Sequence, residues 1–259
     1  MANADDHELA SRLAAAAGDV LVELRIRLRA DGADERTVKD EGDRVSHELL
    51  TGALREHRPD DAVLSEEARG EEREDTSRLD AARVWIIDPL DGTREYGEGR
   101  DDWAVHVALV EGGVPTAGAV ALPGAGLVFD TRVAPVVPEA PATPRVVVSR
   151  SRPPAEALQI AAALGADLVE MGSAGAKTMS ILRGDADVYP HSGGQFEWDS
   201  AAPVAVAMAA GLHCSRLDGS PLVYNRDDPY LPDLLICRPQ HAAAALAAAR
   251  DATASESGR

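Results

Sequence analysis

A chain of 259 residues, 45% of them hydrophobic, can bury a sizeable core as one large α/β domain or as two packed lobes. A net charge of −18 excludes non-specific binding to nucleic acid or to a membrane surface, and no apolar run approaches the roughly 20 residues of a membrane span. Aromatic residues make up only 3%, so the core must be built from Ala, Val, Leu and Ile.

Met1–Leu9 is polar and acidic, unlike a secretory or transit leader, and a cytoplasmic protein is expected. From Glu8 to Leu28, the residues Leu9, Leu13, Ala17, Leu21, Leu24 and Leu28 recur at three- and four-residue steps and predict an amphipathic helix. A second helix is predicted from Asp43 to His57, where Arg58-Pro59 stops it. Short strands follow at Ala62–Ser65 and Arg83–Ile87, separated by the charged stretch Ala68–Asp80, read as a solvated, mobile loop. Asp102–Val110 and Val114–Leu122 pattern as a hairpin around Glu111-Gly112-Gly113, and Leu127–Thr131 adds a strand. Pro135–Pro144 has neither period and is the candidate linker between lobes.

Beyond it the pattern alternates. Strands are predicted at Val146–Ser149, Leu168–Glu170, Ala186–Tyr189, Leu212–Ser215 and Leu234–Cys237, with helices at Pro153–Leu164, Ala174–Leu182, Asp199–Ala210 and His241–Arg250. The expected organisation is an α+β lobe over 1–134, an α/β lobe over 145–250 and a frayed polar tail over 251–259. Cys214 and Cys237 are too few and too far apart for a zinc site or a disulfide framework and read as reduced core thiols.

Chemistry concentrates at Val84-Trp85-Ile86-Ile87-Asp88-Pro89-Leu90-Asp91-Gly92-Thr93. Here an apolar strand ends on Asp88, Pro89 cannot continue the ladder, Gly92 permits a tight bend and Thr93 can cap a following helix. Two carboxylates on a rigid corner suit Mg²⁺, and the N–H groups of Gly92 and Thr93 suit a phosphate. Taken alone, the same residues also describe an ordinary Asp-Pro, Asp-Gly turn pair. Two further clusters accompany it: Ser65-Glu66-Glu67 after a short strand, and Asp199 in Glu197-Trp198-Asp199-Ser200-Ala201-Ala202-Pro203 at a helix start. None of the seven histidines stands at metal-ligand spacing to another. His106 reads as a hydrogen-bonded core residue, and His191 as a candidate for the pocket wall.

In that order, Ser-Glu-Glu, Trp-Ile-Ile-Asp-Pro-Leu-Asp-Gly-Thr and Trp-Asp-Ser-Ala-Ala-Pro, the motifs resemble the inositol monophosphatase superfamily of lithium-sensitive, magnesium-dependent phosphatases. The resemblance runs from the first helix to Leu235. It implies a layered α-β-α-β-α sandwich holding two or more Mg²⁺ ions. Glu66, Asp88, Asp91, Asp199 and the Leu90 carbonyl would be metal ligands, and Glu66 and Thr93 would orient the attacking water. Asp43 would help take up the proton, although Glu41-Gly42 precedes it where relatives carry Thr or Ala.

Gly172-Ser173-Ala174-Gly175-Ala176-Lys177 and Tyr224-Asn225 are similar to segments of the CysQ-type 3′-phosphoadenosine 5′-phosphate phosphatases. That likeness implies substrate contacts at Gly172, Ser173, Lys177 and Tyr224, besides Asp91, Gly92, Thr93 and Asp199. A glycine turn with a surface lysine, and packing roles for Trp198 and Tyr224, fit the same residues. The implied reaction is hydrolysis of 3′-phosphoadenosine 5′-phosphate to AMP, with a place in sulfate assimilation. Inositol-1-phosphate or fructose-1,6-bisphosphate hydrolysis, or a non-catalytic metal- or nucleotide-binding protein, are the alternatives. The partner is a small phosphate ester, and the protein is expected to be a monomer or homodimer.

Overall fold

The structure, a computed structural model, describes residues 1–70 and 76–257. Helices α1 (Ala4–Ala30) and α2 (Glu35–His57) precede a first sheet of β1 (Ala62–Ser65), β2 (Arg83–Asp91), β3 (Ala104–Glu111), β4 (Val114–Leu122) and β5 (Leu127–Asp130). Those strands lie in sequence order, with β1 parallel to β2 and the other pairs antiparallel. The short helix α3 (Thr93–Glu98) joins β2 to β3. Residues 131–144, around the candidate linker, hold no helix or strand.

The second sheet comprises β6 (Arg145–Ser149), β7 (Asp167–Met171), β8 (Val188–Phe196), β9 (His213–Ser215) and β10 (Tyr230–Cys237), in the order β7-β6-β8-β10-β9. Around it run α4 (Ala155–Leu164), α5 (Ala174–Arg183), α6 (Glu197–Ala209) and α7 (Pro239–Ser257).

Strand alternation builds five layers from these elements. Trp85, Ile87, Val105 and Val107 point outward to α1 and α2, where they meet Leu13, Leu21 and Leu50. Val84, Ile86, Ala104 and Ala108 point the other way, onto Met179 of α5 and Ala201, Ala202 and Val204 of α6. Tyr189, Leu234 and Ile236 of the second sheet close on the same central layer. Val146, Val188 and Leu235 face Ile160 of α4 and Ala245 of α7. The chain is thus the expected α-β-α-β-α sandwich. Small residues let helix and sheet approach closely: a Cβ on Gly118 would come within 2.8 Å of Ala205 Cβ. No helix among the described residues is long and apolar enough to cross a membrane.

Several boundaries differ from the sequence expectation. Helix α2 begins eight residues before Asp43, capped by Asp34, whose side chain accepts from Thr37 N at 2.7 Å. Its buried face runs Val38, Gly42, Ser46, Leu50 and Leu54, so the apolar pattern fades where Gly42 and Ser46 stand, although the helix continues. Gly42 belongs there because a Cβ would press on Leu90 and Tyr96. Asp43 therefore lies inside α2. The last helix runs past Arg250: α7 continues to Ser257, and Ala252 is buried, while residues 258–259 of the polar tail lie outside the described residues. Of the stretch read as a mobile loop, residues 71–75 lie outside the described residues, while Ser77–Leu79 forms a 3-10 turn with Arg78 buried.

One ionic knot fixes the first helices to the sheet. Asp6 is fully buried and pairs with Arg58 at 2.9 Å and Arg83 at 2.8 Å, joining the start of α1 to the end of α2 and the start of β2. Burial alone would raise the Asp6 pKa, but Arg83, the Asn3 N–H and Arg58 hold it down at about 2, below the ordinary 3.8. That stabilisation is complete above about pH 4 and is lost as the pH falls toward 2. Asp6→Asn should cost about 2–3 kcal/mol, less than a wholly buried pair because both arginines keep solvent contact. In urea unfolding, the gap to the wild type should shrink steadily from pH 5 to pH 2.

Candidate active site

The site begins with a break in the β2–β3 ladder. Asp88 pairs with His106 and Asp91 with Ala104, so three steps on β2 oppose two on β3. The extra residue resets the alternation. Without it, Asp88 and Asp91 would point to opposite faces; with it, Leu90 packs outward beside Tyr96 and both carboxylates turn into the central layer. Pro89 therefore does not end the strand, as the sequence suggested. It occupies the bulge, where no N–H is required, and its carbonyl accepts Ser46 Oγ at 2.6 Å. Gly92 adopts φ +88°, which favours glycine, and starts α3; Thr93 is the first helical residue rather than the cap.

Asp199, in the first turn of α6, faces this corner. Asp88, Asp91 and Asp199 each offer a carboxylate oxygen, all within 4.8 Å of one another. Asp199 also serves as a local cap, accepting Phe196 N at 2.7 Å. Glu66 follows β1, hydrogen-bonds to Asp88 and keeps solvent exposure as a residue. On the α2 side, Thr93 Oγ1 lies 3.0 Å from the Leu90 carbonyl and 3.4 Å from Asp43 Oδ1. The structure thus brings together Asp43, Glu66, Asp88, Leu90, Asp91, Thr93 and Asp199. A cavity of about 230 Å³ adjoins them, lined by Glu66, Phe196, Trp198 and Asp227 among others.

Crowded acids repel, and the repulsion appears in their proton affinity. Burial, then the charges of Glu66, Asp91 and Asp199, push Asp88 well above the carboxylate range. Withdrawal from water, then Asp199, pushes Glu66 up to about 8. Burial and Asp91 push Asp199 up to about 7, and burial with Glu67 does the same to Asp43. Asp91 is the exception. Burial would raise it, but the His106 ring, the Ser173 hydroxyl and the Gly175 N–H hold it at about 2. Hard oxygen donors in mutual repulsion fit a divalent cation such as Mg²⁺, whose charge relieves the strain.

In the segment Gly172–Lys177, three amides are turned onto carboxylates. The N–H groups of Ala174 and Gly175 bind Asp91 at 3.1 and 2.6 Å, and Gly172 N binds Asp102 at 2.7 Å. Ser173, at φ +39°, donates its hydroxyl to Asp91 at 2.5 Å and caps α5 by accepting Ala176 N. Lys177 is no surface lysine: it is buried, donates to the Gly172 carbonyl at 3.2 Å and sits over the Tyr189 ring. Tyr224 is 2% exposed, with its hydroxyl 3.1 Å from the Ser200 hydroxyl in the central core. His191 is partly buried, and burial followed by Lys177 lowers it to about 4.

Two groups beside the site escaped the sequence reading. His106 is a buried, hydrogen-bonded residue as expected, but its ring reaches Asp91, which only the β2–β3 register could have disclosed. Glu197, next to Trp198, accepts Asn225 N and Arg226 N at 2.6 and 2.8 Å. Arg78 grips the same turn through Asn225 Oδ1 and the Arg226 carbonyl, tying it to the start of α6.

The chain matches the inositol monophosphatase family over residues 4–254. It is 51% identical over 247 residues to the 3′-phosphoadenosine 5′-phosphate phosphatase of Mycobacterium leprae, covering 90% of this chain and 89% of the relative. The 3′(2′),5′-bisphosphate nucleotidase CysQ of Escherichia coli is 30% identical over 240 residues, 85% of this chain and 94% of the relative. Among solved structures, CysQ from Bacteroides thetaiotaomicron superposes with a TM-score of 0.75 at 26% identity, covering 90% of this chain and 97% of that one.

A cation that binds only the folded site stabilises it by mass action, by about 2.7 kcal/mol at a hundred times its dissociation constant. Adding Mg²⁺ to EDTA-treated protein should therefore raise its melting temperature in a saturable way. In Asp88→Asn the Mg²⁺-dependent rise should largely vanish, while the melting temperature in EDTA stays the same or increases, because a buried repulsion is gone.

Proposed function

Because the chain belongs to the inositol monophosphatase family, we propose that it is a Mg²⁺-dependent phosphatase that hydrolyses 3′-phosphoadenosine 5′-phosphate to AMP and phosphate. The observation that carries this reading is the convergence of Asp88, Asp91 and Asp199 beside the Thr93–Asp43 pair, in a chain 51% identical to a relative named for that activity. Residues 1–134 supply Glu66, Asp88, Asp91 and the Leu90 carbonyl to the ions, and residues 145–250 supply Asp199. Two or more Mg²⁺ ions complete the site. The protein works in the cytoplasm as a monomer or homodimer on small phosphate esters.

When bound, the ions supply charge neutralisation and lower the pKa of water near neutral pH. The protein positions the reactants. Glu66 and the Thr93 hydroxyl hold the water in line with the phosphorus–oxygen bond that breaks. Thr93 lies between the Leu90 carbonyl and Asp43, so the proton of the attacking water passes through its hydroxyl toward Asp43. Asp43, pushed up to about 7 by burial and by Glu67, is suited to receive it. The amide groups of Gly92 and Thr93 meet the phosphate, and the departing ribose oxygen takes up a proton from water. No side chain is phosphorylated.

Phosphate release from 3′-phosphoadenosine 5′-phosphate, inositol-1-phosphate and fructose-1,6-bisphosphate tests this directly. The nucleotide should lead in kcat/KM by on the order of tenfold or more, and EDTA should stop all turnover. Equal or better turnover of the sugar phosphates would overturn the substrate assignment. Asp91→Asn should reduce kcat by more than about a hundredfold in a folded protein; near-wild-type turnover would overturn the metal site.

A further inference from the structure

His106 has no place in the reaction just described, yet its ring is fully buried against the acid cluster. It stands on β3 opposite Asp88 and points into the central layer. Nδ1 lies 3.0 Å from the main-chain carbonyl of Trp198, the residue before Asp199. Nε2 lies 3.2 Å from Asp91 Oδ2, and Nδ1 lies 3.9 Å from Asp88 Oδ2. The ring therefore spans the end of β2 and the first turn of α6, which between them carry all three clustered carboxylates. Gly175 clears the space for it, since a Cβ there would overlap Nε2.

The surroundings of Asp91 give this bridge a direction. Oδ2 faces the Ser173 hydroxyl at 2.5 Å, Gly175 N at 2.6 Å and His106 Nε2 at 3.2 Å. The Ser173 hydroxyl and the Gly175 amide already fill the two lone pairs that the oxygen has in the carboxylate plane, and the His106 ring lies against its remaining side. Among the described residues, Oδ1 accepts a hydrogen bond from Ala174 N alone, at 3.1 Å. Outer groups of this kind orient the ligands they touch and set how well the centre binds its ion.

We infer that His106 is a positioning residue of the metal centre: it pins Asp91 Oδ2 and the Trp198 carbonyl together, fixes the spacing of Asp91 and Asp199, and leaves Asp91 Oδ1 as the oxygen offered to Mg²⁺. The inference rests on the metal reading above and adds to it a residue outside the ligand set.

Calorimetric titration of the full-length, metal-stripped protein with MgCl₂ tests it. His106→Leu, which keeps the bulk but removes both nitrogens, should raise the Mg²⁺ dissociation constant about 10–100-fold. His106→Gln, which restores one polar arm, should recover part of that loss. At saturating Mg²⁺ the substrate KM of both variants should stay within about twofold of wild type. Wild-type affinity in His106→Leu, or equal losses in Leu and Gln, would overturn the inference. Should His106→Leu not fold, ¹⁵N spectra of the histidine rings in wild-type protein decide: Mg²⁺ must move the His106 Nε2 resonance, and a fixed resonance would overturn the inference. Absence of any Mg²⁺ binding by the wild type would instead sink the metal reading itself.

Discussion

Carboxylates forced together at the end of one strand are the constraint around which this molecule is arranged. Asp88 and Asp91 share a face only because a bulge inserts one residue between them, and Asp199 is delivered to the same point by the start of α6. Like charges at such range are unfavourable in a buried setting. The chain answers in two ways. It leaves Asp88, Glu66 and Asp199 with a raised affinity for protons, and it surrounds Asp91 with donors that keep it ionised. The site is therefore held as a set of unequal acids, ready to exchange protons for a cation of higher charge.

The donors around Asp91 explain the central layer. The N-terminus of α5 is turned onto one carboxylate, with Ser173 held at a positive φ so that its hydroxyl and two successive amides converge there. Such a helix end favours negative charge. Gly172 and Gly175 permit it, because side chains there would collide with Glu95 and His106. The glycines of this segment thus serve close packing around Asp91.

How far the site was legible in the sequence depends on whether a residue's role is local. Strand β1, the apolar run of β2 and the first turn of α6 were visible from composition and periodicity, and the three carboxylate clusters stood beside them. The five-layer architecture came from resemblance, since alternation alone says only that strands and helices take turns. What stayed hidden depends on pairing across the fold. The bulge at Pro89-Leu90 exists only against the β3 register. Lys177 reads as a surface residue until Tyr189 and Gly172 enclose it. Nothing near Tyr224 in the sequence points to the Ser200 hydroxyl and the central core that surround it. Helix α2 began early because its buried stripe passes through Gly42 and Ser46, which carry no apolar signal but fit against Tyr96 and the Pro89 carbonyl.

The carboxylates that meet at the centre come from β2 and from α6, more than a hundred residues later in the chain. No short segment contains a working half. Pairing of this separation forms late and slowly, because loop closure must precede the contacts that reward it. A nascent or partly unfolded chain would thus offer a divalent ion little more than scattered acids, and occupancy of the centre would mark the moment when the two sheets have closed over α5 and α6. Once formed, an ion gripped from both sides would have to be released before the layers part, so its main effect on the life of the protein would fall on the rate of unfolding rather than on the rate of folding.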